Sequence, residues 1–283
     1  MDESKILIIG ANGQLGKELQ LKYPSAQKVD IGELDITSKN SVSNYDWSNV
    51  THILNAAAYT NVDGAETPNG RISAWQVNAV APSYLSAIAQ KNNIVIVHIS
   101  TDYVFDGTKK IHLENEPFSP LNVYGCSKAS GDIAIQMAPK HYILRTSWVV
   151  GRGDNFVRTM VDLANKNISP TVVSDQIGRL TFTSELVRAI DHLLTNQVAY
   201  GTYNISNEGP SASWADITRE IFNILGRDDL TVTDTTTKEY YQDKPGIAPR
   251  PLQSTLDLSK IQSVGFISSN WQENLKEYLT NEN

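Results

Sequence analysis

The chain has little of what secreted, membrane-spanning or nucleic-acid-binding proteins rely on. Its 283 residues include one cysteine, Cys126, which cannot close an internal disulfide and has no second thiol for a zinc site. No segment approaches the roughly 20 apolar residues that a membrane-spanning helix needs. Lys and Arg form no long run, and the net charge of −7 disfavours a general nucleic-acid binder. We therefore expect neither a nucleic-acid nor a membrane partner.

The N-terminal sequence lacks the basic segment and long apolar stretch of a signal peptide. Together with the lone cysteine, this predicts a reducing, cytoplasmic location. Hydrophobic residues make up 40% of the chain and charged residues 19%, which is typical of an ordinary globular protein. The length suits one large α/β domain or two modest ones.

Short apolar runs alternate with segments of helical spacing through the first 150 residues. The runs begin at Lys5, Thr51, Asn93 and Tyr142, where YILRTSWVV reads as one buried strand, and the helical segments cover 15–22, 75–90 and 127–137. This alternation predicts an α/β fold with a doubly wound Rossmann-type parallel sheet. Pro82 indicates either a kink or the start of the packed part of its helix, and the sequence leaves that choice open.

The pattern changes after Trp148. Helical segments at 156–166 and 183–194 and a short strand from Tyr203 follow, and the prolines of 244–251 predict an extended loop. We expect an NAD(P)-binding domain over 1–150, to which about 170–203 returns. Segments 151–169 and 204–283 are expected to form a smaller C-terminal α/β substrate-binding part.

A dinucleotide fingerprint follows the first apolar run. GANGQLG places Gly10, Gly13 and Gly16 between a predicted strand and a predicted helix. Glycines let a pyrophosphate approach the backbone N–H groups at the helix N-terminus, where Gly13, Gln14 and Leu15 are expected to line it. The alternative is a tight strand-to-helix turn that binds no ligand.

Asp30 lies at the expected end of the second strand, where a carboxylate commonly binds the adenosine ribose. Because its charge would repel a 2′-phosphate and no Arg follows, we expect NADH to be accepted, alongside NADPH. Asp35 and Ile36 are candidates to flank the adenine, although Asp35 could instead cap a helix. The small or polar residues Ala57, Ala58 and Thr60 are further candidates for the cofactor site, with tight packing as the alternative.

Tyr124 and Lys128 are four residues apart and share one face if this stretch is helical. A carbonyl that receives hydride needs a proton, and a tyrosine can donate it when a neighbouring ammonium stabilises the phenolate. The third candidate is Thr101, at the end of an apolar strand, whose hydroxyl could polarise the carbonyl. A solvated helix face and a simple strand-terminating turn are the alternatives.

The ordered motifs GANGQLG, NAAAYTNVDGAE, STDYVFDG, SPLNVYGCSK, LRTSWVVG and RPLQSTLDLSK run over nearly the whole chain. With them the chain resembles the dTDP-4-dehydrorhamnose reductases of the extended short-chain dehydrogenase/reductase family. The resemblance implies NAD(P)H-dependent reduction of the 4-keto group of dTDP-6-deoxy-L-lyxo-4-hexulose, giving dTDP-L-rhamnose for cell-envelope polysaccharide. It also implies Tyr124 as proton donor, Lys128 as its partner and Thr101 as the hydroxyl at the sugar carbonyl.

The same resemblance implies substrate contacts from Asp102, Tyr103 and Trp148, although core filling is the alternative for the tryptophan. Arg250 lies in the proline-rich loop and is the candidate clamp for the nucleotide pyrophosphate, since a guanidinium pairs with phosphate oxygens. A surface ion pair is the alternative for Arg250.

Two positions depart from the family pattern: Leu180 replaces a proline and Asp132 replaces a glutamate. The Leu180 difference puts the identity of the sugar substrate in more doubt than the type of reaction. Some relatives dimerise around magnesium, with Glu18 and Glu185 as possible counterparts, but we predict no metal because surface carboxylates are mostly just solvated. Monomer and homodimer both remain open.

Two other functions compete with reduction. A sugar-nucleotide epimerase or dehydratase would recycle its cofactor, but the acidic pair of a dehydratase looks incomplete because Tyr103 follows Asp102. A non-catalytic regulatory homologue would keep the fold without needing a proton donor. Net consumption of the reduced cofactor distinguishes a reductase from both.

Overall fold

The computed structural model describes residues 1–281, which form twelve strands and eleven α-helices. The strands are β1 (Ile6–Ile9), β2 (Gln27–Val29), β3 (His52–Asn55), β4 (Val95–Thr101), β5 (His141–Thr146), β6 (Val149–Val150), β7 (Thr171–Val173), β8 (Ile177–Gly178), β9 (Thr181–Phe182), β10 (Gly201–Asn204), β11 (Ala212–Ser213) and β12 (Thr233–Thr235). The helices are α1 (Gln14–Lys22), α2 (Lys39–Asn44), α3 (Pro68–Trp75), α4 (Ala81–Lys91), α5 (Val123–Ile135), α6 (Phe156–Asn165), α7 (Thr183–Thr195), α8 (Trp214–Ile224), α9 (Thr237–Tyr241), α10 (Ser259–Ser263) and α11 (Trp271–Asn281).

Six parallel strands form the central sheet, in the order β10-β5-β4-β3-β1-β2. Alternate side chains of β1 enter two different cores: Ile6 and Ile8 pack under α1 and α7, and Leu7 and Ile9 pack under α2 and α4. Helices therefore cover both faces of the sheet. This confirms the doubly wound parallel α/β fold.

A third apolar cluster lies outside the main sheet, between α6, α8 and α11. Val157, Ile221 and Leu275 are fully buried in it. The chain reaches this cluster after β5, returns to the main sheet with α7 and β10, and leaves again. Ile261 of α10 also packs in the core under α1 and α7, so the chain passes between the central sheet and the third apolar cluster more than once.

The prediction of one buried strand over YILRTSWVV was wrong. β5 ends at Thr146, and Trp148 adopts a left-handed backbone conformation with φ of 47°. That conformation turns the chain away from the central sheet, because a left-handed residue cannot continue a strand. Val149 and Val150 instead pair with β9.

Pro82 lies near the start of α4, directly after a π-helical turn over Gln76–Val80 that continues α3. Pro82 has no backbone N–H donor, and the wide π-helical turn comes just before it. The chain stays helical from α3 through this turn into α4. Among residues 1–281, no helix combines the length and apolar character needed to cross a bilayer.

Candidate active site

The loop between β1 and α1 brings backbone atoms unusually close together. Gly10 has φ of 78°, and a Cβ placed on it would lie 2.6 Å from the backbone nitrogen of Ala57. A Cβ on Gly16 would collide with the carbonyl oxygen of Gly10. Gly13 is the N-cap of α1 and has no side chain to bond the first N–H groups of the helix. This loop therefore presents free amides at the positive end of a helix dipole.

A cavity of about 310 Å³ opens beside this loop, at the carboxyl ends of β1, β2 and β3. Seven predicted cofactor residues line it: Gly10, Gly13, Asp30, Asp35, Ile36, Ala57 and Ala58. Six further lining residues were not predicted from the sequence: Ile9, Ile31, Leu34, Thr37, Ala56 and Val77. The first five adjoin predicted residues in the chain and could have been found that way. Val77 comes from the π-helical turn; its segment was predicted to be helical, but no cofactor role was assigned to it.

Backbone amides hold the Asp30 carboxylate in place. Its Oδ2 accepts from Asn12 N at 2.9 Å and its Oδ1 from Ile31 N at 2.9 Å. Asp35 does not cap α2, whose N-cap is Ser38. It accepts instead from the backbone N and the hydroxyl of Thr37, at 2.9 and 2.6 Å. Both carboxylates thus stay oriented on the cavity wall.

The remaining predicted cofactor residues lie outside this cavity's wall. Gln14 donates from its amide to Asp154 O at 2.9 Å, which ties α1 to the loop after β6. Leu15 is buried in the core under α1, so a ligand could meet only its backbone. Thr60 is exposed, and Gly16 serves the close packing of the loop.

A dinucleotide fits these features. The free amides of α1 suit a pyrophosphate, and the fixed Asp30 carboxylate suits ribose hydroxyls. The apolar side chains of Ile31, Leu34 and Ile36 offer a surface for an adenine ring. The residues present therefore agree in kind with an NAD(P) site.

Glycines also bring α5 against the end of β4. A Cβ on Gly125 would collide with the carbonyl oxygen of Tyr103, just after β4. The N-cap Asn122 accepts from Gly125 N at 2.7 Å and donates to Pro249 O at 2.7 Å, which fixes the start of α5. Because α5 begins at Val123, Tyr124 and Lys128 lie one turn apart on it.

The three predicted catalytic residues meet where α5 crosses the end of β4. The Tyr124 phenol lies beside the Thr101 hydroxyl, which donates to Asp102 Oδ1 at 3.0 Å. Desolvation raises the pKa of Tyr124, with the nearby carboxylates of Asp102 and Asp132 adding to the effect and the neighbouring Thr101 hydroxyl opposing it. The phenol therefore keeps its proton at neutral pH, as a proton donor must.

Lys128 is 2% exposed, and its Nζ donates to Ile99 O at 2.6 Å. Burial lowers the pKa of this ammonium to about 8, and the carboxylate of Asp132 acts in the opposite direction. Lys128 is thus charged at neutral pH, close to the pH at which it would lose its proton.

Of the predicted substrate residues, Tyr103 and Asp102 lie near the phenol. The ring of Tyr103 meets that of Tyr124 edge to face, with 5.7 Å between centroids. Trp148 stacks on Trp214 with 3.7 Å between centroids, and Gly178 lies against its ring, where a Cβ would come within 2.9 Å of Cε2. Asp102 is 3% exposed, and burial raises the pKa of its carboxyl to about 6.

Arg250 lies in an ion pair with Asp63, with 2.8 Å between Nη2 and Oδ1. Asp63 also accepts from Ala248 N at 3.0 Å, so it anchors the loop that carries the arginine. Asp63 was not predicted from the sequence, where its only signal was its place in the motif NVDGAE. The Arg250 side chain is 12% exposed, so part of it is accessible to a ligand.

Glu185, one of the two possible magnesium counterparts, is buried and engaged within the chain. It pairs with Arg188 Nη1 at 2.5 Å and accepts from Ser269 N at 2.9 Å. Glu18 lines a separate cavity beside α1. Residues 1–281 contain no cluster of three or more His, Cys, Asp or Glu side chains suited to a metal, and the absence of a metal stays a prediction.

Comparison with known proteins identifies relatives over the whole chain. The family model described as the RmlD substrate binding domain matches residues 4–283. A dTDP-4-dehydrorhamnose reductase of Aggregatibacter actinomycetemcomitans is 40% identical over 96% of this chain and 97% of its own length. The crystal structure of a dTDP-4-dehydrorhamnose reductase from Clostridium acetobutylicum is 38% identical, with a TM-score of 0.89 over 98% of this chain and 99% of that one. The enzyme of that name from Bacillus anthracis, solved in complex with NADP, is 33% identical, with a TM-score of 0.88 over 98% and 99%.

Proposed function

Since the chain belongs to the RmlD substrate-binding-domain family, and since several relatives that match nearly its whole length are dTDP-4-dehydrorhamnose reductases, we propose that it uses NADPH or NADH to reduce the 4-keto group of dTDP-6-deoxy-L-lyxo-4-hexulose. The product is dTDP-L-rhamnose. The chain is an NAD(P)H-dependent oxidoreductase that acts on a sugar nucleotide. A nucleotide-activated substrate and a single free cysteine support a cytoplasmic location.

One observation carries the assignment of roles. A protonated phenol, a strand-end hydroxyl and a buried ammonium converge where α5 crosses β4. When bound, the nicotinamide cofactor supplies the hydride that adds to the carbonyl carbon. Tyr124 gives its proton to the carbonyl oxygen as negative charge develops there, so the C=O double bond becomes C–H and O–H.

Thr101 and Lys128 support this proton transfer. The Thr101 hydroxyl lies beside the phenol at the strand end, where it would hydrogen-bond the sugar carbonyl and polarise it. The Lys128 charge stabilises the phenolate that remains after the transfer. Because Lys128 Nζ bonds Ile99 O, one of its three protons is fixed and two remain for other partners.

Arg250 and Trp148 are the proposed substrate contacts farther from the carbonyl. The guanidinium would hold the pyrophosphate in place of, or together with, the Asp63 carboxylate. Trp148, braced by Trp214, would pack on the apolar side of the deoxysugar. We propose the cofactor contacts by Gly10, Gly13, Asp30, Asp35, Ile36, Ala57 and Ala58 from their shared cavity, and those by Gln14, Leu15, Gly16 and Thr60 from the motif alone.

The test is to incubate the purified chain with NADPH or NADH and a panel of dTDP-4-keto-6-deoxysugars. We expect one equivalent of reduced cofactor to be consumed for each dTDP-L-rhamnose formed, with the configuration at C4 determined by NMR. An epimerase or dehydratase would convert the sugar without net cofactor oxidation. A regulatory homologue would bind cofactor and leave the sugar unchanged.

A further inference from the structure

The sheet face beneath α4 and α5 changes from apolar to polar toward the carboxyl ends of its strands. Ile53, Ile96 and Ile143 pack in the core on this face of β3, β4 and β5. Two residues further along each strand, the same face carries Asn55, His98 and Arg145, all of them buried. Ser100 continues the row on β4, beside Arg145 in the strand register. A buried polar layer therefore lies directly under Lys128 and outside the catalytic set described above.

Asp132 and Arg145 form an ion pair inside this layer. Arg145 Nε donates to Asp132 Oδ2 at 3.1 Å, and the two side chains are 2% and 0% exposed. Arg145 Nη1 also donates to Glu114 O at 2.9 Å, and the guanidinium carbon lies 5.2 Å from the Phe105 ring centroid and 5.0 Å from that of Phe118. The arginine is thus held from three sides, and it fixes the carboxylate that it binds.

Asp132 follows Lys128 by one helical turn, on the same side of α5. Its Oδ1 is buried and has no hydrogen-bond donor of normal geometry among residues 1–281, although the Ser100 hydroxyl is close enough to lower the pKa of this carboxyl against the larger raising effect of burial. A buried carboxylate oxygen without a donor is costly unless a positive charge lies nearby. Lys128 is the second cation beside it.

The other titratable groups around Lys128 do not supply this negative charge. His98 Nδ1 faces the Asn55 amide nitrogen at 3.0 Å and must accept from it, which puts the ring proton on Nε2. Burial and the Lys128 charge lower the pKa of His98 far enough to keep the ring neutral. Tyr124 stays protonated, Arg145 is itself a cation, and Asp102 is bonded to Thr101 at the end of β4.

We propose that Asp132, held by Arg145, is the positioning residue for Lys128, because its carboxylate is the fixed negative charge that keeps the buried ammonium in its charged, hydrogen-donating form beside Tyr124. The effect of Asp132 on the reaction rests on the proposed function. Its effect on the charge of Lys128 rests on the buried polar layer alone. Asp132 acts through Lys128 and touches no reacting atom.

The kinetic test compares pH profiles of kcat/KM for the parent, Asp132→Asn and Asp132→Glu, with NADPH and the dTDP-4-keto sugar. Activity falls as Lys128 loses its proton, so the alkaline limb of the profile reports that ionisation. In Asp132→Asn this limb should move to lower pH by about one unit, because the opposing charge is gone. Asp132→Glu should restore it. Ser130→Ala, on the same helix, is the matched control and should leave the limb in place.

A second measurement separates this inference from the proposed function. In protein carrying ¹³Cε-labelled lysine, the Lys128 signal, assigned by its loss in Lys128→Met, should titrate at lower pH in Asp132→Asn than in the parent, whether or not the sugar is turned over. If Asp132→Asn does not fold, the double variant Asp132→Asn/Arg145→Met removes both buried charges and is compared with Arg145→Met, so that the Asp132 charge is the only difference between them. An unchanged Lys128 titration and an equal loss of rate at every pH would overturn the proposal and leave Asp132 a purely structural residue.

Discussion

The Thr101 hydroxyl donates to Oδ1 of Asp102 at 3.0 Å, between two side chains that are 7% and 3% exposed. In the free protein the proton of Thr101 is therefore directed to Asp102, while the Thr101 oxygen accepts from Tyr103 N at 3.2 Å. Asp102 Oδ2 has no donor of normal geometry among residues 1–281, and the raising effect of burial on the pKa of this carboxyl exceeds the lowering effects of Ser254, Thr101, its own backbone and His112. Neighbouring groups offset only part of the cost of burying the ionised Asp102 carboxylate, so its ionisation should lower the stability of the fold.

We predict that Asp102→Asn stabilises the protein above pH 6. The pKa of Asp102 is raised by burial from 3.8 to about 6, so its contribution to stability is fully present below pH 3.8 and is lost as the pH rises through 6. The full loss is on the order of 3 kcal/mol, of which about 1 to 2 kcal/mol falls between pH 5 and pH 8. Urea unfolding at these two pH values should show the gain of Asp102→Asn over the parent growing with pH. A gain that does not depend on pH would contradict the prediction.

Tyr124→Phe should remove the proton donor while leaving the fold and cofactor binding intact. Without the phenol we expect kcat to fall by about 10²- to 10⁴-fold, the usual contribution of a positioned general acid. The dissociation constant of NADPH, measured by fluorescence titration, should change little. Tyr45→Phe, which alters a half-buried tyrosine beside Trp47, serves as the control. Turnover by Tyr124→Phe at the parent rate would rule out Tyr124 as the donor.

Asp30→Asn should shift cofactor preference toward NADPH. The Asp30 carboxylate is fixed by two backbone amides on the wall of the cofactor cavity, where its charge would oppose a 2′-phosphate. Removing the charge and keeping the shape should raise the NADPH-to-NADH ratio of kcat/KM about tenfold, since a charge pair at such a surface contributes about 1 to 2 kcal/mol. Asp35→Asn, in the same cavity, should change the ratio less. A strong NADPH preference in the parent would defeat the expectation that NADH is accepted.

The fold and the proximity of Tyr124, Lys128 and Thr101 could be predicted because their sequence signals are local. The apolar run ILII, the glycines of GANGQLG and the four-residue spacing of Tyr124 and Lys128 each reflect backbone geometry over a few residues. Such patterns fix a strand, a turn or a helix face without knowledge of the rest of the chain. The same reasoning failed at Trp148, since nothing in SWVV shows that a tryptophan there takes a positive φ.

The side-chain contacts that fix the charge and orientation of the site residues could not be predicted from the sequence. Arg145 and His98 lie within apolar runs and look like core positions, and only the packing of α5 on β4 and β5 explains their burial. Asp63 and Arg250 are far apart in the sequence, so their ion pair depends on how the loop after α9 returns to the sheet. These contacts follow from tertiary structure, which one sequence does not reveal.

The ion pair between Arg250 and Asp63 allows the proposed pyrophosphate contact to be tested from both sides. If Arg250 binds the pyrophosphate, Arg250→Ala should raise the KM for the sugar nucleotide about ten- to a hundredfold, as expected for loss of charge-assisted hydrogen bonds.

In Asp63→Asn the guanidinium no longer has an anionic partner, while the asparagine oxygen can still accept from Ala248 N and hold the loop. The KM should therefore fall or stay the same, because the pyrophosphate no longer competes with a carboxylate. Initial-rate measurements at saturating NADPH distinguish the two variants. A KM that Arg250→Ala leaves unchanged would make Arg250 a purely structural ion-pair partner, and a rise in KM for Asp63→Asn would mean that Asp63 orients the arginine for the ligand and does not compete with it.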